Sequence, residues 1–271
     1  MFKIVQYSIY ALLLLCVSCA KQQQSSNLPV RCAFSADSAY SYVAQQVAFG
    51  ARVPGTDEHM ACGDWLYDKL AQYGAQVQNQ YGTMTNYAGE PQSLRNIVAY
   101  VEGSTSDAIL LCAHWDSRPW SDEEHLYEDR FTPVIGANDG ASGVGVILEI
   151  VRQLSIRKAQ GEFTPTVQIV FFDCEDMGTP SHYTGKEREH TWCLGSQFWA
   201  KQYKQSIVNG KLPNCKCQYG ILLDMVGDPS ATFPREYFSV NYAGNYVELL
   251  WDIVAISLIK RHIQSLMTTI M

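Results

Sequence analysis

Three apolar runs in this chain stop abruptly at residues that bind metals or move protons. In Thr166-Val167-Gln168-Ile169-Val170-Phe171-Phe172 five of the seven positions are apolar, and Asp173, Glu175 and Asp176 follow within four residues. Residues 108–113 run into His114-Trp115-Asp116-Ser117, and residues 219–223 into Asp224-Met225-Val226-Gly227-Asp228. Charge at the end of a buried strand needs a partner, because an unpaired buried carboxylate is costly. A metal ion is the simplest one. A fourth stretch, Gly136-Ala137-Asn138-Asp139-Gly140-Ala141-Ser142-Gly143, sets Asp139 among small residues just ahead of a helix. The candidates are therefore His114, Asp116, Asp139, Glu175, Asp176 and Asp224. Zinc accepts imidazole nitrogen and carboxylate oxygen, and a catalytic site leaves one position open. Glu175 and Asp176 are adjacent, so a turn there would let one hold metal while the other serves as general base. Asp139 also has a plainer reading, as a helix N-cap.

These side chains can meet only if the elements beneath them bring the strand ends to one rim. In open α/β sheets the ligand crevice lies beyond the carboxyl ends of the strands. The run at 166–172, rich in β-branched and aromatic residues, predicts a strand buried on both faces. Residues 75–83 and 94–101 read as antiparallel partners flanking the main sheet, with 86–92 as the loop between them. Helices are expected over 36–49, with Ser35 or Asp37 near its start, and over 57–73, stopped by Gly74. A third helix carries Val144, Ile147, Leu148, Val151 and Leu154 as its apolar stripe. A fourth leads from Trp192 to about residue 203, and 118–133 is a long polar excursion of the kind that is often functional. Alternating strands and helices from 94 to 224 predict an α/β fold: a mixed, mainly parallel central sheet with helices on both faces.

The 271 residues, 47% hydrophobic and 17% charged, suffice for one large domain. A net charge of −7 disfavours a nucleic-acid partner. Residues 1–18 read as a signal peptide with a short apolar run at 9–17, too short to span a bilayer. Cys16-Val17-Ser18-Cys19-Ala20 resembles a bacterial lipoprotein cleavage box, with Cys19 as the lipidated residue. Residues 19–31 form a flexible tether. The expectation is an exported chain, lipid-anchored to a bacterial membrane, periplasmic or surface-facing, touching membrane only through that anchor. Seven cysteines remain beyond Cys19, so at least one is unpaired even in an oxidising compartment. Cys112 and Cys174 read as buried, and the Cys215-Lys216-Cys217 run as a loop disulfide to a distant cysteine rather than a zinc site.

Taken together, His-Trp-Asp-Ser, Ala-Asn-Asp-Gly-Ala-Ser-Gly, Phe-Phe-Asp-Cys-Glu-Asp, Leu-Gly-Ser-Gln-Phe-Trp-Ala and Leu-Leu-Asp-Met-Val-Gly stand in the order seen in the zinc aminopeptidase superfamily. Within it the chain resembles the bacterial glutaminyl cyclases through Arg52-Val53-Pro54-Gly55, Arg95-Asn96-Ile97 and Ala231-Thr232-Phe233-Pro234. That resemblance implies an incomplete zinc exopeptidase-like domain over 32–252. Asp139 and Asp176 would be zinc ligands, Glu175 the general base and acid, and Asp224 a catalytic hydrogen-bonding partner of the substrate amine. It further implies one zinc per chain, with His114 a neighbour of the site and Trp192 and Phe233 lining the pocket; in the two-zinc relatives Asp116 would orient His114.

In the two-zinc aminopeptidases, His114 and Asp224 would instead hold a second ion. The implied activity is cyclisation of an N-terminal glutamine to pyroglutamate with release of ammonia, acting as a monomer on peptides or proteins. Hydrolysis of N-terminal residues by a two-zinc aminopeptidase is the alternative. The family pattern includes a later Asp-Asp-His segment and a later zinc-binding histidine that this chain does not carry. The resemblance thus implies C-terminal truncation with a divergent tail at 253–271, and a third reading as an inactive truncated lipoprotein.

Overall fold

The computed structural model describes residues 33–186, 188–208 and 216–270; the signal segment, Cys19, the tether and Cys215 lie outside the described residues. Helix α1 (Ala36–Ala48) starts at Ser35, whose hydroxyl accepts from Ser38 N, a cap worth about 1 kcal/mol. Helix α2 (Asp57–Gln72) starts the same way, with Thr56 accepting from His59 N and Asp57 and Glu58 in the first turn, where the helix dipole favours acids. Gly50 (φ 104°) and Gly74 (φ 81°) follow these helices in the left-handed conformation that stops a helix without strain. Strands β1 (Gln76–Thr85) and β2 (Pro91–Val101) form the expected antiparallel pair, closed by an Asn86 side chain that accepts from Ala88 N and Glu90 N.

Strand β3 (Asp107–His114), helix α3 (Ala141–Ala159), strand β4 (Thr166–Phe172), helix α4 (Leu194–Val208), strand β5 (Lys216–Leu222) and helix α5 (Tyr237–Ile270) complete the domain. Helix α5 carries non-helical backbone at Ala243 and runs unbroken across residues 252 and 253. The sheet order is β1-β2-β4-β3-β5, which places β4 at the centre, and every residue of β4 is buried. Strands β3, β4 and β5 are mutually parallel, while β2 runs antiparallel to both of its neighbours. The sheet is thus mixed: the pairings divide evenly, and the parallel half is the half that carries the site.

Alternation along the strands sorts the core onto two faces. Ile97, Ala99, Leu111, Ala113, Val167, Ile169 and Phe171 pack with Leu66 and Leu70 of α2 and with Val144, Ile147, Leu148 and Val151 of α3. The opposite face packs Val98, Cys112, Val170 and Phe172 against Trp199 of α4. Helices therefore cover both faces. Helix α1 is pinned to α3 by the wholly buried Glu149, which accepts from Ser35 N, Arg152 and Gln153. Cys112 and Cys174 are buried free thiols, and Cys62 and Cys193 are also free.

Candidate metal centre

Parallel register brings the charged strand ends to one level. His114 of β3 stands opposite Phe172 of β4, the last residue before Asp173. Cys112 stands opposite Leu222, and Leu223 N donates to Cys112 O, so Asp224 arrives beside His114. His114 Nε2 lies 2.8 Å from Asp139 Oδ1 and 3.5 Å from Asp224 Oδ1. The Asp139 loop can come this near because its neighbour is glycine. A Cβ on Gly140 (φ 83°) would sit 2.9 Å from Asp116 O and 3.0 Å from His114 Cε1. Gly140, not Asp139, occupies the N-cap position of α3, and no side chain caps it, so the N-cap reading of Asp139 is set aside.

One ligand atom each from His114, Asp139 and Asp176 can be drawn within 4.8 Å of one another. Asp139 and Asp176 therefore come close enough to share an ion, and His114 lies in the same group. Burial raises the Asp176 carboxyl to about 7, with the negative charges of Asp139, Asp116 and Glu175 adding to the effect. His114 is burdened by burial, which disfavours its charge. The carboxylates of Asp116, Asp139 and Asp224 outweigh this and hold it protonated well above the usual imidazole range. Five crowded acids with one histidine as their main counter-charge, offering imidazole nitrogen and carboxylate oxygen, fit a bound divalent cation.

Asp116 is occupied differently. It is fully buried, its carboxylate lies 3.4 Å from His114 Nδ1, and it accepts from Glu175 N at 3.1 Å and Asp176 N at 3.2 Å. It thus fixes the ring and the turn together. Cys174 takes φ 52°, and this left-handed residue is what turns the chain so that Glu175 and Asp176 need not follow strand alternation. Glu175 is raised by burial, against the pull of His114 and of a hydrogen bond from the Cys193 thiol, whose Sγ lies 3.1 Å from Oε1. Trp192 is 44% exposed and its ring lies over Gly178, where any Cβ would come within 1.9 Å. Phe233 is 58% exposed.

Nothing in the sequence pointed to His59 or showed what Asp173, Asn96 and Arg52 bind. Asp173 is wholly buried and accepts from Arg95 N at 2.6 Å, Cys174 N at 2.8 Å and His59 Nε2 at 2.9 Å. His59 stacks on Trp115, ring centroids 4.1 Å apart, and so ties α2 to the residue between His114 and Asp116. Asn96 accepts from Asp173 N and donates to Gly195 O. Arg52, also wholly buried, donates to the carbonyls of Trp115, Ile135 and Gly136. The Arg52 and Arg95-Asn96 motifs therefore act as scaffolding under the strand ends. Arg118 donates to Asp176 O at 3.0 Å, chelates Asp122, and lies 4.8 Å over the Trp192 ring.

Residues 96–263 match the profile described as peptidase family M28. A Zn-dependent exopeptidase from Parabacteroides distasonis is 48% identical, covering 81% of this chain and 71% of that one, with a TM-score of 0.72. Tannerella forsythia glutaminyl cyclase is 46% identical over 81% of this chain and 71% of its own, TM-score 0.73. Bacteroides thetaiotaomicron glutaminyl cyclase bound to N-acetylhistamine is 42% identical over 83% and 73%, TM-score 0.74. Among curated proteins, leucine aminopeptidase 1 of Ajellomyces capsulatus is 26% identical over 61% of this chain and 38% of its own length. The Aspergillus fumigatus protein of that name is 25% identical over 68% and 47%, so the chain spans less than half of these curated relatives.

Proposed function

Because the chain belongs to peptidase family M28, we propose that it is a zinc-dependent glutaminyl-peptide cyclotransferase. The reaction closes an N-terminal glutamine onto its own α-amine and releases ammonia. The observation that carries this reading is the likeness to glutaminyl cyclase structures over 81–83% of the chain. Its substrates would be peptides or proteins with N-terminal glutamine. The lipoprotein-like segment ending at Cys19 supports an exported, membrane-tethered location.

In this reading His114, Asp139 and Asp176 hold zinc, which when bound supplies a Lewis acid for the glutamine side-chain carbonyl. Glu175 takes a proton from the α-amine as its nitrogen forms the new bond to the carbonyl carbon. The same carboxyl then hands that proton to the departing amide nitrogen as its bond to carbon breaks and ammonia leaves. The Cys193 thiol occupies Glu175 Oε1, which leaves Oε2 for the substrate. Asp224, with its side chain 48% exposed, accepts from the substrate amine and keeps it near the carbonyl. Nucleophile and electrophile belong to one residue, so the site's main task is to hold the ring-closing conformation, with Trp192 excluding water from one side.

Purified chain incubated with glutaminyl peptides is expected to release ammonia and pyroglutamyl peptide, to stop when a chelator strips zinc, and to recover when zinc is restored. A second reading, the two-zinc aminopeptidase, is favoured by the 3.5 Å approach of Asp224 to His114. Release of free N-terminal amino acids without ammonia would select it. Zinc binding itself should be pH-dependent. In the metal-free chain Asp176 keeps its proton up to about 7, and the His114 imidazolium must also shed one before it can ligate. Affinity measured by calorimetry should therefore climb as pH rises through 7. An affinity that stays flat across that range would contradict the assignment of these donors.

A further inference from the structure

The excursion after β3 and the loop after β4 enclose a groove of about 500 Å³. The indole rings of Trp120 and Trp192 wall it, Thr179 lies within it, and Glu123 and Glu124 stand along it. It begins one residue from the reacting groups. Arg118 in its wall donates to Asp176 O, and Trp192 precedes Cys193, whose thiol contacts Glu175.

The charges in this groove do not balance. Arg118 is spent: Nε and Nη2 bond Asp122 at 2.7 Å and 2.6 Å, Nη1 bonds the Asp176 carbonyl, and its plane lies over Trp192 and 5.6 Å over Trp120. The Arg118–Asp122 pair is neutral as a unit, and Arg118 holds the Asp122 carboxyl at about 2, so that unit stays ionised. Glu123 and Glu124 are both exposed, and neither forms an ion pair among the described residues. Counted over its lining residues, they leave the groove with two net negative charges beside the exposed Trp192 indole and the half-buried Trp120. The Thr179 hydroxyl oxygen is buried with no hydrogen-bond partner among the described residues. A groove that must seat polymer next to a reacting end, offering aromatic faces and two carboxylates, suits a peptide carrying a cation on an aliphatic stem.

We infer that this groove is a subsite for a lysine or arginine side chain on the residue that follows the N-terminal glutamine. The stem lies against Trp120 and Trp192, and the charged head reaches Glu123 and Glu124. What occupies the reacting end rests on the cyclase reading; the charge of the groove does not. An aliphatic side chain would use the rings and leave both carboxylates idle, and an acidic one would be repelled.

The test is calorimetric binding of three amidated tripeptides, Gln-Lys-Ala, Gln-Leu-Ala and Gln-Glu-Ala, to the full zinc-loaded chain, with ammonia followed in the same samples. Lysine should bind about tenfold more tightly than leucine, equal to 1.4 kcal/mol, with glutamate weakest. The lysine advantage should shrink with added salt. In the Glu123→Gln, Glu124→Gln double variant the lysine-to-leucine ratio should fall to about one. Equal binding of lysine and leucine peptides, or a lysine preference that survives in the double variant, overturns the subsite. Charge-ordered binding without ammonia upholds the groove and removes the cyclase reading. Ammonia release without charge order removes the groove alone, and no binding of any peptide removes both.

Discussion

Glu175→Gln is expected to lower kcat for ammonia release from glutaminyl peptides by a hundredfold to ten-thousandfold, the usual contribution of a positioned acid–base group. Three features of the residue underlie this figure. It sits beside the three-donor cluster, it is adjacent to Asp176 in a turn that Cys174 makes possible, and burial raises its carboxyl, which makes it a stronger base. The amide keeps the shape and can still accept from the Cys193 thiol, so folding should be unaffected. It cannot carry a proton from the amine to the leaving nitrogen. Zinc content and peptide binding should persist, placing the loss in kcat rather than in KM. A Glu175→Gln chain that turns over within a few fold of the wild type would remove Glu175 from the proton path. Loss of zinc along with activity would instead make it a ligand.

Asp173→Ala should be the most destabilising single change near the site, at about 3–5 kcal/mol, since it leaves three buried donors without their acceptor. The carboxylate is wholly enclosed and accepts from Arg95 N, Cys174 N and His59 Nε2. Alanine strands two buried N–H groups and a histidine nitrogen together, and each unsatisfied donor carries its own desolvation cost. The damage should also reach function. Asp173 fixes the first residue of the turn that aims Glu175 and Asp176, and through His59 it braces Trp115 between His114 and Asp116. Zinc affinity should therefore fall along with the denaturation midpoint. Asp173→Asn, which retains an acceptor for the backbone donors, should recover part of both. If Asp173→Ala unfolds at the wild-type midpoint, the pair is not the keystone inferred from its geometry. A shifted midpoint with unchanged zinc affinity would limit its role to stability.

Much of the scaffold was legible from residue order because the physics that sets it is local. Ser35 and Thr56 begin helices where their hydroxyls reach a backbone N–H three residues on, and Gly50 and Gly74 end them because only glycine takes that φ cheaply. Residues 166–172 announce a doubly covered strand by composition, and all seven are buried. The acids that interrupt buried strands announced a charge needing a partner, and His114, Asp139 and Asp176 do converge.

What the chain order left open was decided by contacts between residues far apart in it. Central placement of β4 between β2 and β3 is a matter of long-range pairing, and it alone brings His114 level with the end of β4. His59 and Asp173 are 114 positions apart, and nothing near either one signals the other. Arg52 stood in the sequence as part of a resemblance motif, yet it is fully enclosed and donates to carbonyls from two separate segments, at Trp115 and at Ile135-Gly136. Residue types and spacing determined that this polypeptide builds strands ending in metal-type ligands. Only the tertiary structure decided which buried donors and acceptors satisfy one another, since desolvation makes each such group take whatever partner the packed core brings within reach.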